Sequence, residues 1–262
     1  MKQWNGLMKK EWVSMKGWLY GTVGASILIT LIIPFVVPMF LEGSVGSLIS
    51  GLIPFWILVS LILPVIVLLN SLKKEMAHPD IWLHSPVSIF KMFGSKAVFA
   101  GFVGIVNLLI VISLGLFHLK LSTIAINFTF ANVGVLSTFI LVFFMVSLVL
   151  MCIGLFVKVL YYVIKPYAKV FTIPILFVFF FASGWVIEKI IEKVKGTTVY
   201  EKIATFGPIG NPSKGGFFIE KEHFFFEVDE TIFHIGDLLM NASFIVLLFI
   251  TAAVLFEKKV RL

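Results

Sequence analysis

Six long apolar runs without a charged side chain constrain the fold of this sequence more than any other feature. A helix needs about 20 apolar residues to cross a hydrocarbon core about 30 Å thick. The runs cover residues 18–41, 48–69, 97–117, 133–157, 170–187 and 238–256. We therefore predict an all-α integral membrane protein with six transmembrane helices, organised as a single transmembrane domain over residues 1–262.

The low charge content excludes most other classes of protein. Charged residues make up 13% of the chain and hydrophobic residues 60%, whereas a typical soluble domain is about 25% charged. So few charges do not solvate the surface of a 29.4 kDa globule. Soluble enzymes and disordered chains are therefore excluded, and the single cysteine rules out an intrachain disulfide.

The positive charges indicate which side of the membrane each connecting segment faces, because cytoplasmic loops retain Lys and Arg. Residues 1–17, 70–96, 158–169 and 257–262 hold 14 of the 21 Lys and Arg residues with four acidic residues, a net charge of +10. The other segments hold seven Lys and ten acidic residues, a net charge of −3. We predict a multi-pass protein of the cell membrane with both termini in the cytoplasm. Topology and contact with anionic membrane lipid then explain the formal charge of +7 without a nucleic-acid partner.

Residues 1–17 have the pattern of a helix that lies in the membrane interface. Apolar residues recur there at helical spacing, and lysines are available for the opposite face. The two sets are Trp4, Leu7, Met8, Trp12 and Met15 against Lys2, Lys9, Lys10 and Lys16. We predict an N-terminal interfacial amphipathic helix, which serves either as a simple anchor for the first span or in coupling.

The six runs contain no ionisable side chain, and this limits the chemistry available inside the membrane. A pump driven by an intramembrane carboxylate is disfavoured, because proton movement needs groups that titrate there. The chain has neither a zinc-protease motif nor a nucleotide-binding loop. We therefore expect no enzymatic activity, metal or cofactor in this chain, and an external energy source for any uphill transport. The amides of Asn70, Asn107 and Asn241 are predicted to hydrogen-bond neighbouring helices.

Prolines are concentrated in three of the spans. Proline removes a backbone donor and bends a helix, and broken helices at membrane depth are tolerated where they line a cavity or are buried in protein. Kinks along a transport pathway are predicted at Pro34, Pro38, Pro54, Pro64 and Pro174. Ordinary membrane-helix prolines remain an equal alternative.

The predicted cytoplasmic loop, residues 73–96, carries two helix-start signals. Asp80 precedes the short apolar stretch Ile81, Trp82 and Leu83, and Ser85 precedes Pro86. Proline suits the first position of a helix. We predict two short helices that form a compact, partly apolar projection, although a simple connecting loop also fits the pattern.

This loop resembles the corresponding loop of ABC-2 type permeases, the membrane subunits of bacterial ATP-binding-cassette exporters. The resemblance is carried by Glu75, by the stretch Asp80-x-Trp82-Leu83-His84-Ser85-Pro86-Val87-Ser88, and by Lys96. It implies that the loop seats in a groove of an ABC ATPase, present in two copies that hold ATP and Mg²⁺, and that two permeases pair around a pathway. The ATPase contact would then include Glu75, Asp80, Trp82, Leu83, Pro86 and Ser88.

The predicted extracellular loop, residues 188–237, begins with a helical continuation of the fifth span. Two triplets rich in Phe, Phe217-Phe218-Ile219 and Phe224-Phe225-Phe226, follow among charged residues, as at a membrane interface. The family resemblance implies helices that dip into the outer leaflet here. A lid packed on its own aromatic side chains is the alternative.

Together these observations predict the permease subunit of an ATP-driven exporter. Its apolar spans favour hydrophobic or amphipathic cargo, with membrane-active peptides or antibiotics as the preferred class. Two other functions fit the residues: a non-transporting membrane sensor or scaffold, and a secondary transporter that binds Na⁺ through backbone carbonyls.

Overall fold

The computed structural model of this chain is predominantly helical. It describes residues 2–36, 45–76, 87–121, 130–195, 197, 202, 206–209, 216–220, 223–227 and 233–259. The α-helices are α1 (Lys2–Ile27), α2 (Ile33–Val36), α3 (Val45–Met76), α4 (Ile89–Leu121), α5 (Phe130–Ala168), α6 (Thr172–Lys195) and α7 (Ile235–Lys259). A π-helical segment, Leu28–Ile32, joins α1 to α2, and a 3₁₀ turn, Lys169–Phe171, joins α5 to α6.

Five helical segments in the described residues are long and apolar enough to cross a membrane. They are Gln3–Ile32, Leu52–Met76, Ile89–Phe117, Phe139–Ala182 and Leu238–Lys258. The fourth has 44 residues and contains most of two predicted spans. At a rise of 1.5 Å per residue, such a length corresponds to about 66 Å of helix, twice the roughly 30 Å hydrocarbon core. The chain is therefore a membrane-type helical protein, while the count of six spans stays a prediction.

The chain divides into two compact units, residues 1–155 and 156–260. In the first unit, α4 packs against both α1 and α3. The core of this unit includes Met15 of α1, Val67 and Leu68 of α3, and Phe93 and Val103 of α4, all 1% exposed or less. These three helices form the framework that positions the site described below.

Close helix contacts in this unit depend on two glycines. A Cβ atom on Gly104 of α4 would lie 2.3 Å from Cγ of Pro64, and one on Gly154 of α5 would lie 2.8 Å from Cγ1 of Val65. Small residues let membrane helices approach closely, which increases van der Waals contact between them. Both glycines therefore set how closely α3 packs against its neighbours.

The N-terminal segment differs from the prediction of a separate interfacial helix. Residues 2–27 form one continuous helix, so no break separates the segment from the first span. Its apolar face packs on α4: Met15 is fully buried and the Trp12 ring stacks edge-on against Phe99 with centroids 6.2 Å apart. Lys91 Nζ also donates to Gln3 Oε1 at 3.1 Å. The face of this segment that the sequence pattern assigned to the membrane surface therefore packs against α4.

The second unit contains the predicted fourth cytoplasmic loop, which is helical in the structure. α5 continues through residues 158–168, and the α-helix is interrupted at Lys169, whose φ of 43° lies in the left-handed region. The predicted helical continuation of the fifth span is confirmed, because α6 extends to Lys195.

Strands occupy part of the predicted extracellular loop, where the family resemblance implied helices. Residues Gly216–Glu220 (β2) and His223–Glu227 (β3) pair antiparallel, and Pro208–Ile209 (β1) pairs with Phe233–His234 (β4). Runs of Phe and Ile favour strands, because aromatic and β-branched side chains fit a pleated surface. β4 leads directly into α7, and the Ile235 backbone N–H donates to the Gly207 carbonyl at 2.9 Å.

Candidate functional site

Four polar side chains from three helices meet in the first unit. Glu11 comes from α1, Ser71 and Glu75 from α3, and Lys96 from α4. Ser71 and Glu75 are four residues apart and so lie on the same face of α3. We call this group the charge cluster, and the part of the unit around it, where α1 begins, α3 ends and α4 begins, the lysine-rich end.

Lys96 is the centre of the charge cluster. Its Nζ lies 2.5 Å from Glu11 Oε1, 2.9 Å from Ser71 Oγ and 3.0 Å from Glu75 Oε1. An ammonium group has three donors, and here each one has an acceptor. Ser71 Oγ in turn donates to Glu11 Oε2 at 2.7 Å. The Lys96 and Glu11 side chains are 1% and 3% exposed, so this pair is removed from solvent.

A second lysine closes the cluster on its outer side. Lys10 Nζ lies 2.5 Å from Glu75 Oε1, and its side chain is 55% exposed. Two lysines and two glutamates therefore balance in charge. The other oxygen, Glu75 Oε2, is buried and has no hydrogen-bond partner in the residues that the structure describes.

Burying these charges has a cost that constrains the helices. Each desolvated ion costs several kcal/mol unless its partners are well placed, and removal of one partner leaves an uncompensated charge. Glu11, Glu75 and Lys96 must therefore stay together whenever the first unit is folded. The charge cluster joins α1, α3 and α4 at one end.

Two members of the charge cluster lie near the two ends of the predicted ATPase-coupling loop, residues 73–96, one at each end. Glu75 is the second-to-last residue of α3, and Lys96 is the eighth residue of α4. Of the other predicted contact residues, Ser88 is exposed, and its carbonyl accepts the Lys91 and Met92 N–H groups where α4 begins. This helix start comes three residues after the predicted start at Pro86. Asp80, Trp82, Leu83 and Pro86 lie outside the described residues, as does the first of the two predicted short helices, whereas the second continues into the third span as one helix.

The charge cluster revises the prediction that the spans hold no ionisable side chain. The membrane-length helices extend past the apolar runs, and Glu11, Glu75 and Lys96 all lie within their bounds. Glu11 was missed because it was counted among the solvated charges of the N-terminal segment. Its position was the available signal: it lies four residues from both Leu7 and Met15, on the apolar face of α1.

A second polar group joins the same three helices deeper in the apolar runs. Asn107 Nδ2 donates to Ser60 Oγ at 2.7 Å, and Asn107 Oδ1 accepts from Ser26 Oγ at 2.5 Å. The Trp56 indole N–H donates to Ser26 Oγ at 2.8 Å. The predicted interhelical role of Asn107 is thus confirmed, and its side chain is fully buried.

The predicted kink prolines occupy different environments. Pro34 follows the π-helical segment, where the Ile33 N–H bonds to the Leu28 carbonyl five residues back. This wider turn accommodates a residue that lacks an N–H and would clash with the carbonyl four residues before it. Pro38 lies outside the described residues.

The remaining three prolines lie within continuous helices. α3 runs through Pro54 and Pro64, and the Pro64 ring packs against Gly104. Pro174 lies in the first turn of α6, where a backbone N–H has no partner within the helix, so it does not break the span. The interruption between α5 and α6 comes earlier, at Lys169.

The ion pairs of the charge cluster hold α1, α3 and α4 together next to the predicted ATPase-coupling segment. The role that this arrangement supports is structural. Comparison with known proteins adds no identity to this geometry: no family model, no curated protein and no solved structure matches the chain.

Proposed function

We propose that this chain is the membrane subunit of an ATP-driven exporter of the ABC class. In this proposal it pairs with a second copy or a related permease, and two separate ATPase subunits bind ATP and Mg²⁺. The cargo is hydrophobic or amphipathic, with membrane-active peptides or antibiotics as the preferred class. The five apolar membrane-length helices support a membrane role, and the apolar composition of the spans supports this class of cargo.

The observation that supports coupling most strongly is the charge cluster. Glu75 and Lys96 are 3.0 Å apart and lie on either side of the segment 77–88. A force applied to this segment therefore reaches α3 and α4 together, and Glu11 extends the connection to α1. ATP binding does work on a membrane subunit only when its contacts differ between two states. The charge cluster supplies the rigid base that such a lever needs.

The first experiment tests the contact with an ATPase. The full chain is co-expressed with a P-loop ATPase that lacks membrane spans, taken from a neighbouring gene where one is present, and the complex is purified in detergent. The double variant Trp82→Asp/Leu83→Asp is expected to lose both co-purification and stimulation of ATP hydrolysis. Lys73→Gln, an exposed position near the same end of α3, is the matched control and keeps both.

The second experiment separates coupling from binding. The double variant Glu11→Met/Lys96→Met is expected to retain the ATPase but to lose stimulation of hydrolysis by cargo peptides. A Trp82→Asp/Leu83→Asp complex with unchanged hydrolysis would refute the coupling assignment. A stable complex that neither hydrolyses ATP in response to peptides nor protects cells against them would indicate a sensor or scaffold instead.

A further inference from the structure

A groove between α1 and α3 is not used by the coupling function proposed above. It is an open cavity of about 350 Å³ within the first unit, a volume in the range of pockets that bind small ligands. Its lining includes Trp18 and Trp56 together with the small residues Gly17, Gly21 and Ala25. We call it the α1–α3 groove.

The glycines of this groove have no packing role within the described part of the chain. A Cβ atom on Gly17 or Gly21 would meet no atom within 4 Å, unlike one on Gly104, which would clash. Glycine destabilises a helix interior relative to alanine. Since neither residue brings α1 closer to another described helix, their effect is to keep the groove open.

Two contacts between α1 and α3 flank the residues that line the groove. At one end the Trp56 indole N–H donates to Ser26 Oγ at 2.8 Å, and at the other Lys74 Nζ donates to the Ser14 carbonyl at 3.0 Å. Ser14 and Ser26 are 12 residues apart, which corresponds to about 18 Å along a helix. The groove lies between these two contacts, and except for Thr22 its lining residues are apolar.

The end at Lys74 is strongly basic. Lys10 and Lys74 both bridge α1 and α3 there, and exposed Lys16 and Lys73 lie on the same two helices. Lys10 is paired with Glu75, whereas no carboxylate lies against Lys74 in the residues that the structure describes. An apolar slot with a cationic mouth matches an amphipathic molecule that carries a negative charge at one end.

We propose that the α1–α3 groove binds one anionic phospholipid, with its phosphate at Lys74 and an acyl chain between Trp18 and Trp56. Basic pockets between membrane helices bind anionic headgroups, and each lysine near the surface strengthens that attraction. A second copy of the chain in parallel orientation fits less well, because its own lysines would face Lys10 and Lys74 and like charges oppose association. This proposal does not depend on an ATPase partner.

Tryptophan quenching tests the site on the full, purified chain without any ATPase. Nanodiscs contain either phosphatidylglycerol or phosphatidylcholine with brominated acyl chains, because bromine quenches indole fluorescence on contact. Binding of the phosphate at Lys74 predicts tighter apparent binding of phosphatidylglycerol, by about fivefold. Lys74→Gln is expected to remove this factor, whereas Lys258→Gln, at an exposed lysine of α7 that does not line the groove, is the control and leaves the preference unchanged.

A second pair of variants tests the acyl-chain slot. Gly21→Leu fills the groove and should abolish the preference for phosphatidylglycerol. Gly24→Leu is the matched control on the same helix, because its Cβ also meets no atom within 4 Å and it does not line the groove. A melting curve of each variant verifies that both are folded.

Three results would overturn the proposal. The first is equal quenching by the two lipids in the unmodified chain. The second is an unchanged lipid preference in folded Gly21→Leu protein. The third is a loss of dimers in Gly21→Leu with unaltered lipid quenching, which would assign the groove to a second copy.

Discussion

The charge cluster predicts that two substitutions in it are not additive. The losses of unfolding free energy from removing each charge of the Lys96–Glu11 pair alone should sum to more than the loss from removing both charges together. The two single variants are Glu11→Met and Lys96→Met, and the third variant combines them. Methionine is unbranched and close in length to both side chains, so it limits changes in packing volume. The two residues lie on different helices, 85 positions apart in the sequence.

The magnitude follows from the geometry. Breaking a buried ion pair costs about 3–5 kcal/mol, whereas replacing the whole pair by apolar side chains is often neutral. In Glu11→Met, Lys96 keeps Glu75 at 3.0 Å and Ser71 at 2.9 Å, so the lower end of the range applies. In Lys96→Met, Glu11 keeps only its contact with Ser71 among the cluster contacts. The double variant should be more stable than the sum of the single losses predicts, by at least about 3 kcal/mol.

Stability is measured as the free energy of unfolding in mixed micelles of detergent and SDS, together with the melting temperature. A change of 1 kcal/mol shifts the melting temperature of a chain of this size by about 2–4 °C. Each single variant should therefore melt about 6–12 °C lower than the unmodified chain.

Lys10→Met is the matched control for this experiment. The Lys10 side chain is 55% exposed and also pairs with a glutamate, and exposed pairs contribute about 0–1 kcal/mol. Its melting temperature should fall by less than about 4 °C. If the losses of the single variants simply add in the double variant, the two residues are not coupled and the reasoning fails.

Three further predictions concern the packing of the helices. Asn107→Leu should lower the free energy of unfolding by about 1–2 kcal/mol, since interhelical hydrogen bonds in membranes reach about that value; an unchanged stability would show that the amide makes no net contribution. Gly104→Ala should cost about 1–3 kcal/mol by overpacking against Pro64, whereas Gly24→Ala, which meets no atom within 4 Å, should be neutral or stabilising; equal effects would contradict the close contact. Lys169→Gly should raise stability by about 1 kcal/mol, because a φ of 43° is strained for a residue with a Cβ atom; a lower melting temperature would contradict this account.

Several elements of this protein could be predicted because their cause is local. The apolar runs specify membrane-length helices through their own composition, since a backbone without water must bond within its own segment. The continuation of α6 through Glu188–Lys195 follows from the spacing of charged and apolar residues in that stretch. Asn107 was identifiable as a bridging residue, because an amide in an apolar run must find a partner on another helix.

Other elements depend on pairings that no local pattern specifies. The predicted interfacial helix packs on α4 because α4 offers Phe99 to Trp12 on its apolar face, and the sequence pattern is the same for either environment. The two Phe-rich triplets of the predicted extracellular loop form paired strands, although their composition also suits a membrane interface. Helix, strand and interface compete for such residues, and the available neighbours determine the outcome.

The sequence by itself determined that this chain is a helical membrane protein with no charged side chain in its apolar runs. The reason is that a long apolar run favours transfer from water into the membrane through its own composition. Only the tertiary structure decided what the remaining charges do. Glu11, Glu75 and Lys96 have unremarkable positions in the sequence, and each would serve equally well on a solvated surface. They link three helices because the fold brings the Glu11 and Glu75 carboxylates within 3.0 Å of the Lys96 ammonium group in a buried environment, where each charge requires the others.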